Sequence, residues 1–353
     1  MKKKRWVALA SLYALAVLYM GQQADAAEAV FREPRTHGAM PTAERVVPPQ
    51  GGGSGPYSSA ADASASASAS AGAGGLRTAG SSGGDCVAEP PPAARAAGLT
   101  KLAFCDDFSS AATIDLEGTL QAGFKWYITG LPYGFVGSGK DAYRLSDGVL
   151  SFHPEINQAQ LSFLSAVVPR GSTKPVGWYI DRQVGGWYVE ARMAHIEKSL
   201  GEGFPAFWTM DMCHLYRYPA PCAVFVEPDF YEFIDGRETR AVHRHQDPTG
   251  TRASKLDTWG TTRPTGSWRV NWQDFNTVAM RALPEVITHY VNDREVTEGR
   301  AGSRTSNGTF FWVGDVVAGP RMSGGGVGRY PVIFGSGPQM PFKLDWVRVW
   351  VKP

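Results

Sequence analysis

Beyond residue 99 the chain alternates short runs of strand-forming residues with Gly, Pro, Asn and Asp. The clearest runs are Val149 to Phe152, Trp187 to Ala194, Ala206 to Met210, Val278 to Ala282, Val286 to Val291 and Leu344 to Val351. None sustains a helical period, so the pattern predicts a sandwich of two antiparallel sheets with almost no helix. The stretch TVAMRALPEVITHYVNDREV is expected to fold as a hairpin turning at Pro284 and Glu285, with Asn292-Asp293 opening the next turn. Side chains on one face of such a sheet point the same way, which suits it to hold an extended polymer across the strands.

One run departs from simple alternation. In FVEPDFYEFID, Glu227 and Asp229 share a face, but Glu232 stands at an odd offset and would enter the core of a regular strand. One inserted bulge residue restores the parity and turns all three carboxylates the same way, and Pro228, which cannot donate to a ladder, favours local irregularity. On the residues alone, this is either a catalytic or metal-binding group of acids or a charged, solvated strand face.

The first residues combine a basic start, an apolar run from Trp6 to Met20 and an A-x-A arrangement at Ala24 and Ala26. This reads as a signal peptide over residues 1–26, because the run falls short of the ~20 residues a spanning helix needs. No later segment is apolar enough to span, so export without a membrane anchor is expected. Residues 27–97, rich in Gly, Ser, Ala and Pro and including SASASASASAGAGG, offer little to bury and read as a disordered linker. The structured domain is expected over residues 98–353.

Thirty-five basic and thirty-three acidic side chains nearly cancel, so net charge makes no case for nucleic acid. In an exported chain four cysteines suggest disulfides. Cys213 and Cys222 would close a short loop before the acidic run and Cys86 could reach Cys105, although three pairings are formally open. No zinc spacing, Cys-His nucleophile pattern or phosphate-binding Gly loop is evident, and the Asn307-Gly308-Thr309 sequon reads as chance.

Glu227-x-Asp229-x-x-Glu232 resembles the E-x-D-x-x-E signature of glycoside hydrolase family 16, in its bulged, laminarinase-like version. GWYVEARMAHIEKSLGEGFPAFWTM, DFNTVAMRALPEVITHYVND and LDWVRVW resemble that family's flanking strands, and FCDDFSS and YRLSDGVLSF its opening segments, in the right order over roughly residues 100 to 353. Pro228, Ala282 and Asn292-Asp293 depart from the family's usual aliphatic residue, Trp and Asp-Gly turn.

The resemblance implies a concanavalin A-like β-jelly-roll and a secreted, endo-acting, retaining glycosidase of β-linked polysaccharide, with β-1,3-glucan the leading substrate. By the same resemblance Glu227 is the nucleophile, Glu232 the acid/base and Asp229 the residue between them that keeps their pKa values apart. Trp208, in PAFWTM, would offer a sugar-stacking ring, and His243 and His245, alternating onto one face of the next strand, would contact substrate or orient Glu232. A buried core Trp and solvated loop histidines are the plainer readings. Trp178, Trp187, Trp259 and Trp268 are possible groove walls, though most of the eleven Trp should be core. No catalytic cofactor or metal is implied. Asp345 resembles an acid that in some relatives joins a structural calcium, against which a simple strand end is the preferred reading. A transglycosylase on the same site, a lectin-like binding protein and an acidic cation-binding module are the alternatives, and a monomer is expected.

Overall fold

The computed structural model describes residues 86–129, 139–153, 161–182, 185–196, 205–234, 237–247, 254–264, 270–300, 302–309, 311–318, 328–336 and 341–353. The expected signal peptide and residues 27–85 of the expected linker, with Trp268, lie outside these residues; residues 86–97, expected as disordered linker, instead carry the helix Pro92–Ala96 with Ala94 buried, tied down by the Cys86–Cys105 disulfide.

A short helix, α1 (Pro92–Ala96), precedes the strands β1 (Lys101–Asp106), β2 (Ile114–Asp115), β3 (Trp126–Ile128), β4 (Tyr143–Ser146) and β5 (Val149–Phe152). Next come β6 (Leu161–Leu164), β7 (Ala166–Val167), β8 (Val176–Gly177), β9 (Ile180–Asp181), β10 (Trp187–His195) and β11 (Pro205–Trp208). Helix α2 (Met212–Leu215) leads into β12 (Val224–Ile234), β13 (Arg237–Gln246), β14 (Ser254–Pro264), β15 (Asn276–Ala282), β16 (Val286–Val291) and β17 (Arg294–Arg300). The chain closes with α3 (Gly314–Ala318), β18 (Arg329–Tyr330), β19 (Ile333–Ser336) and β20 (Phe342–Val351).

Two eight-stranded sheets face each other as a β-jelly-roll sandwich. One runs β14-β13-β12-β11-β19-β6-β3-β2 and carries the acids; the opposing sheet runs β17-β16-β15-β10-β20-β5-β4, with β1 also paired to β20. Pairing is antiparallel except between β2 and β3. Alternation decides what lies between the sheets. Trp187, Val189, Ala191 and Met193 of β10 meet Val226, Phe230, Phe233 and Phe207 of the acid sheet in one core. Trp187 packs edge-on against Phe230, and Phe207 edge-on against the same ring. Burying rings of this size removes apolar surface worth roughly 1.5–3 kcal/mol each.

Both sheets are also covered on their outer faces. Over the acid sheet, Tyr127, Leu164, Trp208, Phe225 and Ile333 gather with Val167, Met210, Leu215 and the Cys213–Cys222 disulfide. Over the opposing sheet, Tyr188, Tyr290 and Trp350 pack against Ala94 and Leu99, and the Cys86–Cys105 disulfide ties the entering chain to β1. The Asn292-Asp293 turn has both residues at positive φ, 48° and 61°, which matches the type I′ geometry that joins two-residue hairpins.

Candidate active site

The acids sit on β12, and the bulge does what the parity argument requires. Against β13, Asp229 pairs with Ala241 but Glu232 pairs with Thr239, so β12 holds one residue more than its neighbour across this step. Phe230 and Tyr231 both enter the core, and Glu232 returns to the face of Glu227 and Asp229. Of the aromatic neighbours, only Phe225 shares the acid face; Phe230, Tyr231 and Phe233 lie beneath it.

The two histidines reach the acids along diagonals of the ladder. His245, opposite Phe225, places Nε2 2.6 Å from Glu227 Oε2. His243, opposite Glu227, places Nε2 3.0 Å from Asp229 Oδ2 and Nδ1 2.7 Å from Thr258 Oγ1 on β14. Neither contacts Glu232 among the interactions of the described residues. Trp208 stands opposite Asp229 on β11, at 7% exposure within the apolar cluster of that face. On the other flank of Asp229 lie Ala241 and then Gly260, at φ 153°, where a Cβ would meet the Arg240 carbonyl at 2.2 Å. That flank therefore carries only the small, buried Ala241 methyl beside the glycine.

Electrostatics separate the three carboxyls. Burial lifts Glu227, but the hydrogen bond and charge of His245, helped by Lys255 and His214, bring it to a net position below the usual range. Burial and the charge of Glu227 lift Glu232 to about 7, with Lys255 opposing. Asp229, lifted by burial and by both glutamates, stands well above its ordinary value. Of the three acids, Glu227 is thus the one whose surroundings favour the anion, while those of Glu232 and Asp229 favour the protonated form. Burial drives His243 well down, which favours its neutral form beside Asp229.

Two residues of this neighbourhood carry no motif that would find them in the sequence. Lys255, opposite His245 on β14, is exposed, and its charge acts on all three carboxyls. His214, in the loop closed by Cys213–Cys222, stacks on Phe225 with ring centres 3.8 Å apart, and Phe225 stacks in turn on His245 at 5.1 Å. Burial holds His214 down at about 4, against the pull of Asp247, whose Oδ2 lies 3.7 Å from its Nδ1. The only sequence signal for His214 is its place inside the cysteine pair.

The remaining candidates lie elsewhere. Trp187 and Trp259 are buried in the core and Trp178 stacks on Phe104 at its edge, so none of them walls the acid face. Asp345 pairs with Arg192, and no group of three metal-ligating side chains occurs among the described residues. The sequon triplet is used structurally: Thr309 Oγ1 donates to Asp257 and Asn307 Nδ2 to the Leu256 carbonyl, anchoring the 302–309 segment to β14.

Neither a family model nor a curated protein matches this chain. Among solved structures, it is similar to the endo-1,3-beta-glucanase of Streptomyces sioyaensis at 17% identity and a TM-score of 0.43, covering 72% of this chain and 97% of that one. It is similar to LamAcat from Zobellia galactanivorans at 16% identity and a TM-score of 0.42, covering 72% and 99%. A third likeness is to the kappa-carrageenase of Pseudoalteromonas carrageenovora, at 13% identity and a TM-score of 0.43, covering 70% and 93%. At such identities the chemistry has to be read from this chain's own residues.

Proposed function

We propose that this protein is a secreted, retaining endo-glycosidase of the family 16 type, acting on a β-linked polysaccharide with β-1,3-glucan the leading candidate. The observation that carries the reading is the split between two carboxyls on one strand face: Glu227 ionised, Glu232 protonated up to about pH 7. A retaining glycosidase needs that pair of states.

In the first step a Glu227 oxygen attacks the anomeric carbon from one face of the sugar. The bond to the leaving oxygen breaks, and that oxygen takes the proton of Glu232. In the second, water gives its proton to the Glu232 carboxylate as its oxygen bonds to the anomeric carbon, and the ester to Glu227 breaks, restoring both groups. Asp229, raised by burial and by both glutamates and held by His243, lies between them and resists adding a second charge beside the nucleophile. The His245 contact steadies the Glu227 carboxylate in its attacking form. Asp229 is flanked by the small residues Ala241 and Gly260 on one side and by Trp208 on the other.

The test is to mix the protein with a panel of soluble polysaccharides and measure new reducing ends. Turnover of a β-1,3-glucan that falls by several orders of magnitude in Glu227→Ala supports the reading. Binding without turnover by the wild-type protein would reassign it as a lectin-like module.

A further inference from the structure

A β-bulge is a soft place to build a catalytic strand. Between Asp229 and Glu232 the ladder to β13 lapses, and the backbone there needs partners from elsewhere. The opposing sheet reaches one backbone carbonyl and one side chain there. His289 of β16 reaches across the core, its Nε2 3.2 Å from the carbonyl oxygen of Asp229. A carbonyl only accepts, so this nitrogen carries the ring's proton. His195 of β10 shares a second hydrogen bond, Nε2 to the hydroxyl of the bulge residue Tyr231, at 2.9 Å.

Both rings are buried and held in place. His289 stacks on Trp259 with centres 5.9 Å apart and planes 16° from parallel; His195 stacks on Trp272 at 5.7 Å and 19°. In each ring Nδ1 is buried without a hydrogen-bond partner among the described residues, a cost that an apolar side chain at either position would avoid. Neither residue lies on the acid face. The same core buries Glu238 and Arg240, and Arg240 lies over the Tyr231 ring and acts on His289; the two atoms the histidines hold, the Asp229 carbonyl and the Tyr231 hydroxyl, both lie at the bulge.

We propose that His289 and His195 are positioning residues, which hold the β12 bulge from the opposing sheet in the shape that puts Glu232 on the face of Glu227. This rests on the glycosidase reading above. Relaxing the bulge would move Glu232 relative to Glu227 and to the sugar, and a displacement near 1 Å at reacting groups costs on the order of a hundredfold in rate.

The experiment compares His289→Leu, which cannot donate, with His289→Gln, whose amide can donate to the same carbonyl. The Leu variant is expected to lose at least about tenfold in kcat with KM changed less than about twofold, because the loss falls on the transition state. The alkaline limb of its pH profile should move, since Glu232 then feels Glu227 and Lys255 from a new distance. The Gln variant should recover most of the lost kcat. A Leu variant with wild-type kcat and an unmoved alkaline limb overturns the proposal. So does nitrogen NMR of the wild-type protein showing the His289 proton on Nδ1, a measurement that needs no variant to fold. If the wild-type protein cleaves no polysaccharide, the glycosidase reading fails by itself. Carbon NMR titration of Glu232 in wild type and the Gln and Leu variants then decides positioning alone: a shift in Leu that Gln reverses sustains it, and identical titrations refute it.

Discussion

At the scale of single residues, everything turns on Glu227 and Glu232 doing different things from similar chemistry. On the proposed roles Glu232→Ala keeps its nucleophile, Glu227, so a substrate whose leaving group departs without protonation should still form the glycosyl-enzyme. Added azide should then release a β-glycosyl azide from Glu232→Ala but an α-glycosyl azide from Glu227→Ala, because the small anion replaces carboxylates on opposite faces of the sugar. Product stereochemistry by NMR reads this out, and identical anomers from both variants would remove the assignment. His245 gives a pH test. His245→Phe keeps the stack on Phe225 but deletes the hydrogen bond that lowers Glu227. Its nucleophile should ionise only at higher pH, moving the acid limb of kcat/KM upward while the alkaline limb, set by Glu232 near 7, stays in place.

At the scale of elements, the acid strand was legible because parity is strict: an odd offset between two acids demands either a buried charge or a bulge. The same rule shows where sequence reading stops. Alternation puts His243 and His245 on the acid face, but the diagonal contacts that pair His245 with Glu227 and His243 with Asp229 depend on the register between β12 and β13, which no local pattern encodes. His289 and His195 were invisible for the same reason, since each reads as an inward residue of an ordinary strand until the opposing sheet is in place. Trp208 shows the converse: the strand position is legible, its burial under neighbouring apolar side chains is not. The α2 loop is the element where a test bites. The Asp211 carboxylate caps α2 through the Cys213 amide, and the disulfide closes the loop that holds His214 on Phe225. Cys213→Ser with Cys222→Ser should lower stability by about 2–3 kcal/mol through restored loop freedom. It should also reduce turnover, as the His214-Phe225-His245 stack behind Glu227 loosens. Unchanged kinetics in a measurably destabilised variant would show that the stack has no part in catalysis.

For the whole molecule, histidines and acids shifted by burial bend the stability curve in opposite directions. His195, His214 and His289 have folded pKa values of about 4, 4 and 3, so each contributes stability that is present above pH 6.5 and lost as the pH falls. Glu190 and Glu232 do the reverse. Glu190 lies on the outer face of the opposing sheet, accepting a 3.0 Å hydrogen bond from Trp350 Nε1, and burial lifts it to about 7 against that bond and the nearby Arg348. Its folded pKa exceeds its unfolded one, so its contribution is fully present below about pH 4.5 and is lost as the pH rises through 7. Glu190→Gln separates this from every other group. The amide oxygen keeps the bond from Trp350 and cannot ionise, so the variant should match wild type near pH 4.5 and exceed it at pH 8 by up to about 3 kcal/mol. Urea unfolding of both proteins at the two pH values measures the difference directly. An equal offset at both would mean that Glu190 titrates alike in the folded and unfolded chains, so that burial does not govern its charge.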